Sequence, residues 1–387
     1  MSAPGTESLL DDDLLARLRE RAADYDRRNA FFTEDLAELS DRGYLRALVP
    51  AEFGGLGWGL DDIVRAQMRL AGAAPATALG VNMHLVWTGV ARVLHDRGDG
   101  ALDFVLRESA DGEVFAFGIS EAGNDLMLFG SGTDADPQPD GSVRYSGRKI
   151  FTSLSPAWTR LGVHGLDTRS PDAPKIVYGF IDREDPDVRT LDDWDTIGMR
   201  ATQSRTTVLD GAVAEADRIV RRLDPGPSPD PFVFAIFACF ELFLSSVYAG
   251  IAARALELAA ESARSRVSAK TGRARSEDPD VRRRIAGAAL AFGAIPPQLV
   301  SLSRDVAEGV DHGALWFAEL SGVKVRTVET AREVVDRAVR VAGGASYFAG
   351  NELGRLQRDV LAGAFHPSSE DAALATIANA WLGPVPD

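Results

Sequence analysis

Apolar positions recur at three- and four-residue spacing over residues 9 to about 107. Leu14, Leu15, Leu18, Ala22 and Tyr25, with charges between them, describe one buried stripe on a solvated helix. The stretch FFTEDLAELSDRGY adds Leu36 and Leu39 before Gly43, a helix stop. Pro50 and the run FGGLGWG predict a loop, followed by helix over Leu60–Ala71, the small-residue segment AGAAPATALG, and a helix around 81–94. Beyond Gly112 the period falls from about 3.6 to about 2. Val114, Phe115 and Phe117 open a strand, Val143 and Tyr145 alternate with polar residues, Ile150 and Phe151 follow, and Leu161 and Val163 flank Gly162. KIVYGFID and TTVLDGAVA continue the strands, and the turn clusters PQPDG, SPDAP and REDPD separate them. Past the proline-rich RRLDPGPSPDP, helical spacing returns. Leu244, Val247, Tyr248, Ile251, Ala255 and Leu258 share one face, and Val328, Ala331, Val335, Ala338 and Ala342 share another that ends at Gly343-Gly344.

The pattern therefore predicts an α+β chain: an N-terminal all-α domain (1–113), a middle antiparallel β domain (114–222) and a C-terminal four-helix bundle (223–387). With 387 residues there is length for several cores. The formal charge of −15 argues against a general nucleic-acid or anionic-membrane surface. Cys239, the one cysteine, lies in the apolar run PFVFAIFACF, which excludes an intramolecular disulfide and a cysteine-based metal motif. The first residues carry neither a basic region nor an apolar core, so the expectation is a cytoplasmic protein. The apolar stretch 232–251 contains Glu241 and two serines and reads as a buried core helix rather than a membrane span. No GxGxxG follows a strand and no GxxxxGK[ST] occurs, so neither the Rossmann nor the P-loop reading is supported.

The order helices, strands, helices, together with VPAEFGGLG, ISEAGND, SGRKIFTS, DWDTIGMRATQS and RLQRDV, resembles the acyl-CoA dehydrogenase superfamily along nearly the whole chain. The resemblance implies that fold and a flavin, FAD or FMN. It places Phe117, Ile119 and Ser120 of the strand leading into ISEAGND, and Phe151, Thr152 and Ser153 of KIFTS, against the flavin ring. An aromatic or apolar wall with a few hydroxyl donors on strand ends suits a flat ring kept dry. Asn124, Trp87, Phe240 and Glu241 are the expected substrate contacts. A homo-oligomer, dimer or tetramer, is implied by the resemblance as well.

Three places depart from the family pattern. The carboxylate that removes the substrate α-proton in acyl-CoA dehydrogenases usually follows the RD of the last helix pair, where this chain reads RDVLAGAFHPSSED, with His366 and Pro367 in the region and Glu370 three residues late. Glu241 falls near the alternative base position on the first bundle helix, one residue off, which is about 100° of helix rotation; burial there leads to the expectation of a raised pKa or an arginine partner. The segments RSRVSAKTG and RVAGGASYF lack the residues that grip the adenine half of FAD. These departures resemble the two-component flavin-dependent monooxygenases, which take reduced flavin from a separate reductase and form a C4a-hydroperoxide. In that branch His366 and Ser153 match the catalytic histidine and the flavin-facing serine, and His84 matches a further histidine of some members. His95, His164 and His312 have no partner pattern and read as structural or exposed. Three readings follow: a reduced-flavin monooxygenase on a small organic substrate, an acyl-CoA dehydrogenase using Glu241, or a redox-inactive relative.

Overall fold

The computed structural model describes residues 5–124, 126–170 and 172–385. Six helices come first: α1 (Thr6–Leu9), α2 (Asp12–Arg28), α3 (Thr33–Asp41), α4 (Leu60–Ala71), α5 (Pro75–Asp96) and α6 (Asp103–Ala110). Local chemistry sets their ends. The Asp11 carboxylate accepts from Leu14 N at 2.8 Å to start α2, Pro75 occupies the first turn of α5, and Gly43 at φ 85° follows α3.

The strands are β1 (Phe115–Gly118), β2 (Asp134–Pro137), β3 (Val143–Thr152), β4 (Arg160–Asp167), β5 (Lys175–Asp182), β6 (Val188–Thr190), β7 (Arg205–Ala214) and β8 (Ile219–Leu223). They form one sheet in the order β6-β7-β3-β2-β4-β5-β8, with β1 pairing on β4. The sheet curls on itself: the Tyr145 hydroxyl on β3 donates to Val177 O on β5 at 3.2 Å across its interior. Two pairings correct the expectation of a wholly antiparallel domain. β1 runs parallel to β4 with Phe117 opposite Gly162, and β2 meets β4 in parallel at Asp134 and Leu166. Parallel neighbours need a long crossover, which the chain between β1 and β4 supplies by way of β2 and β3.

Six more helices follow among the described residues: α7 (Pro231–Ser265), α8 (Pro279–Phe292), α9 (Ile295–Glu308), α10 (Trp316–Ala342), α11 (Glu352–Val360) and α12 (Glu370–Leu382). The bundle thus holds six helical segments, α8 and α9 being separated at Gly293-Ala294. α7 and α10 pack along their lengths in the same direction, Phe234 meeting Trp316 near their starts and Arg266 reaching Ala342 O at their ends, and form its spine. α7 is long and apolar enough to span a membrane, yet it is mostly buried in the bundle. The stretch Pro279–Glu308 passes the same test of length and composition and is largely exposed.

Trp87 locks the three layers together. From α5 its ring lies 5.2 Å from Phe117 on β1, 4.8 Å from Phe180 on β5 and 6.4 Å from Phe232 on α7. Aromatic contacts of this kind add about 1 kcal/mol each beyond the area they bury.

Candidate active site

The segment after β1 is held by a buried charge network. Glu121 accepts from Ser131 Oγ, Gly132 N, Thr133 N and Oγ1, and Asn124 Nδ2, and it pairs with the fully buried Lys149 on β3. Lys149 also donates to His164 Nδ1 at 3.1 Å and His164 O at 2.7 Å, while His164 Nε2 donates to Met127 O. Burial would raise the Glu121 carboxyl, but the Lys149 ammonium and the converging donors hold it far below the usual range. Burial lowers the Lys149 ammonium against the pull of Glu121, and burial together with Lys149 keeps the His164 imidazole neutral, at about 3. The network fixes the loop that leaves Ser120.

Ser120 O accepts from Ile150 N at 2.9 Å, so the end of β1 lies beside the end of β3. There Phe151 is half-exposed, sits at φ 55° and meets Trp194 edge-on. Phe117 is buried and stacks on Phe240 of α7 at 5.5 Å, and Ile119 is buried. Thr152 Oγ1 is buried with no hydrogen-bond partner among the described residues. Ser153 Oγ lies 2.8 Å from Ser204 Oγ, Ser204 donates to Thr202 Oγ1 at 2.8 Å, and Thr202 donates to Met199 O at 2.9 Å. Because the downstream hydroxyl protons are engaged, Ser153 donates to Ser204 and its own oxygen keeps acceptor capacity. Phe151, Leu154, Met199 and Gln203 all adopt positive φ, from 43° to 67°, in these two segments. Left-handed backbone at non-glycine residues costs of order 1–3 kcal/mol each and clusters where function demands it.

The bundle reaches this corner through α11. Asp359 Oδ1 accepts from Met199 N at 2.6 Å, Arg358 Nε donates to Ile197 O at 3.0 Å, and a Cβ on Gly198 would stand 2.2 Å from Arg358 O. The segment that follows carries His366, half-buried, whose Nε2 lies 2.8 Å from the Tyr248 hydroxyl of α7. Lys324 of α10 donates to Gly363 O at 3.2 Å, His366 O at 3.0 Å and Ser368 O at 2.6 Å. Glu241 Oε1 accepts from Ser368 N at 3.1 Å and Ser368 Oγ at 2.9 Å, and its Oε2 is buried without a hydrogen-bond partner among the described residues. Burial, with the Lys324 ammonium adding to it, lowers the imidazole of His366 to about 3, so the ring is neutral. Burial raises the Glu241 carboxyl against Lys324 and Ser368, and lowers Lys324. The cation expected beside Glu241 is therefore a lysine rather than an arginine.

Several predicted site residues stand elsewhere. His84 is fully buried, its Nε2 donating to Leu45 O at 2.7 Å and its Nδ1 accepting from Phe115 N at 3.1 Å, which leaves no nitrogen for chemistry. Trp87 donates to Ala116 O at 2.9 Å and is buried in the core described above. Asn124 is a loop staple between Glu121, Gly130 and Leu126. His95 bridges Glu52 and Asp103, and His312 lies between Asp305 and Glu319 on the Trp316 ring. Among the described residues no cluster of metal-ligating side chains occurs.

Sequence reasoning overlooked Ser204, Ser368 and Lys324, and counted Tyr248 only as a position on an apolar face. Lys324 did leave a signal: it stands four residues from both Leu320 and Val328, within the buried stripe of its helix.

An acyl-CoA dehydrogenase N-terminal domain family model matches residues 13–96, and an acyl-CoA dehydrogenase C-terminal domain model matches residues 242–370. An L-evernosamine nitrososynthase from a Micromonospora species is 30% identical, over 91% of this chain and 85% of its own length. A putative acyl-CoA dehydrogenase of Bacillus subtilis is 27% identical, over 93% of this chain and 92% of its own. Among solved structures, KijD3 in complex with FMN and dTDP-3-amino-2,3,6-trideoxy-4-keto-3-methyl-D-glucose superposes with a TM-score of 0.85 at 27% identity, covering 100% of this chain and 96% of that one. Family matches in both helical regions, the shared fold and a relative 30% identical along most of its length agree: the chain belongs to the acyl-CoA dehydrogenase family.

Proposed function

We propose that the chain is a reduced-flavin-dependent monooxygenase acting on a small organic substrate, in the reaction class that proceeds through a C4a-hydroperoxide. Its flavin would be FMN, delivered reduced by a separate flavin reductase, and the working form would be a homo-oligomer. The observation that carries this reading is His366. In the segment after the RD of α11, where the family's dehydrogenases keep a base, stands a neutral imidazole rather than a carboxylate. Glu370 is exposed in the first turn of α12 and offers no substitute.

The residues at the β-domain corner suit a flavin. Phe151 would give a flat apolar wall, and Thr152 Oγ1, buried and unpaired, gives a hydroxyl in need of a partner. Bound there, reduced flavin would supply the electrons and the site of oxygen activation. Ser153, with its proton directed to Ser204, would accept from the N5–H edge of the ring. His366 would donate a hydrogen bond to the reacting oxygen, and as a neutral group it does so without adding a charge that must be desolvated. Phe117 and Phe240 close the apolar side between β1 and α7. The nitrososynthase relative makes amino sugars the first substrates to assay.

A dehydrogenase reading retains one observation, the unpaired Oε2 of Glu241 with its raised pKa. Against it, the other oxygen is engaged by Ser368 and the carboxyl is covered by the segment that carries His366. His366→Ala separates the two. On the monooxygenase reading the variant still consumes oxygen with reduced flavin, releases hydrogen peroxide, and loses about a hundredfold in product formation. Unchanged product yield per reduced flavin would refute the assignment.

A further inference from the structure

Within the cluster around His366, every donor except one has a fixed destination. The three N–H groups of Lys324 go to Gly363 O, His366 O and Ser368 O, so Lys324 fastens the segment on both sides of the histidine without touching its ring. Glu241 Oε1 is occupied by Ser368. The phenol of Tyr248 is fully buried on α7, wedged beside Gly363, where a Cβ would come 3.0 Å from its ring, and beside Val328 of α10. Its one hydrogen-bond partner among the described residues is His366 Nε2, at 2.8 Å.

A 2.8 Å contact between a phenol and an imidazole nitrogen can be made in two ways. If Nε2 carries the ring proton it donates to the phenolic oxygen, and the phenolic O–H, deep in the bundle, then has no acceptor. If Nε2 is unprotonated, the phenol donates to it, and the donor left over is Nδ1–H of the half-buried His366 ring rather than the O–H of the fully buried phenol. A buried donor without a partner is the costly alternative, so the second arrangement prevails. The hydrogen-bond partner of one ring nitrogen thereby selects the state of the other.

We infer that Tyr248 is a positioning residue for His366: its phenolic O–H donates to Nε2, fixes the neutral ring as the Nδ1–H tautomer, and makes Nδ1–H the donor presented to the reacting oxygen. No protein partner occupies Nδ1 among the described residues. The inference rests on the monooxygenase reading for the use of that donor, but the tautomer itself belongs to the flavin-free protein. The contrast is His84, where a main-chain N–H and a main-chain carbonyl impose the opposite tautomer, Nε2–H.

The test is nitrogen NMR of the flavin-free full chain labelled with 15N-histidine. The chain has five histidines, and His366→Gln identifies the signals of interest by their loss. Wild type is expected to show a pyrrole-like Nδ1 and a pyridine-like Nε2 for His366, with roughly a tenfold excess of that tautomer. Tyr248→Phe keeps the ring in its packing and removes the hydroxyl, and should move both shifts toward a tautomer average. A pyrrole-like Nε2 in wild type, or identical shifts in the variant, would overturn the inference, and the wild-type spectrum decides even where the variant folds poorly. In turnover with reduced FMN, Tyr248→Phe should raise peroxide release several-fold per product with KM for the substrate unchanged. If the NMR result holds but His366→Ala leaves product yield untouched, the monooxygenase reading fails and the tautomer assignment stands.

Discussion

His84 and His366 are both neutral imidazoles, and only one has a nitrogen to offer. Both were legible as candidates from the sequence, because a histidine in an apolar helix and a histidine after an RD motif each match a pattern. What could not be read was the second partner of each ring. His84 is closed by Leu45 O and Phe115 N, from segments distant in sequence, whereas His366 is closed on one side by Tyr248 alone. A stability prediction follows for His84. Burial lowers its pKa from 6.5 to about 4, opposed by the bond to Leu45. A depressed folded-state pKa means that its contribution is whole above about 6.5 and is lost as pH falls through about 4. His84→Gln should therefore lower stability most at pH 8, and the difference between the two proteins should shrink toward pH 4. Urea unfolding at several pH values measures this, and a difference that grows on acidification would contradict it.

At the scale of elements, the long periodic segments were readable and the short polar ones were not. The stripe of α2, the apolar faces of α7 and α10, the alternation in β3 and β7, and the nearly continuous buried runs of β4 and β5 carry their own signal. β2 reads DADP, with Ala135 and Pro137 buried and two aspartates exposed, and its place in the sheet is set by β3 and β4 rather than by its own residues. The three-residue β6 escaped for the same reason. The loop carrying Ser120 was recognised by motif, but its support was hidden, since Lys149 looks like an ordinary strand charge in SGRKIFTS. Removing Lys149 leaves Glu121 buried against five other donors without its cation. Lys149→Met should cost about 3–5 kcal/mol in unfolding free energy. Denaturant titration of the variant checks this, and a loss below about 1 kcal/mol would show that the pair does not hold the loop.

For the whole molecule, the proposed site would lie between the β domain and the bundle. The ends of β1 and β3 and the residues just after them would supply Ser120, Phe151, Thr152 and Ser153; α7 would supply Phe240, Glu241 and Tyr248; and the segment after α11 would supply His366. The fold class follows from the order of periodicities, and the flavin corner follows from motifs in that order. The choice between oxygenase and dehydrogenase depends on side chains from α7, α10 and the last segment, brought together from three separate stretches of sequence, so no local pattern contained it. α8 and α12 leave the large apolar residues Leu290, Trp381 and Leu382 exposed, surface that the proposed homo-oligomer would cover. The most direct measurement is stopped-flow absorbance after mixing the protein and reduced FMN with oxygen. The account predicts a transient near-ultraviolet species distinct from free oxidised flavin, longer-lived with wild type than with His366→Ala. Oxidation in a single step at the rate of free flavin, together with anaerobic bleaching of the flavin-loaded protein by an acyl-CoA, would contradict it.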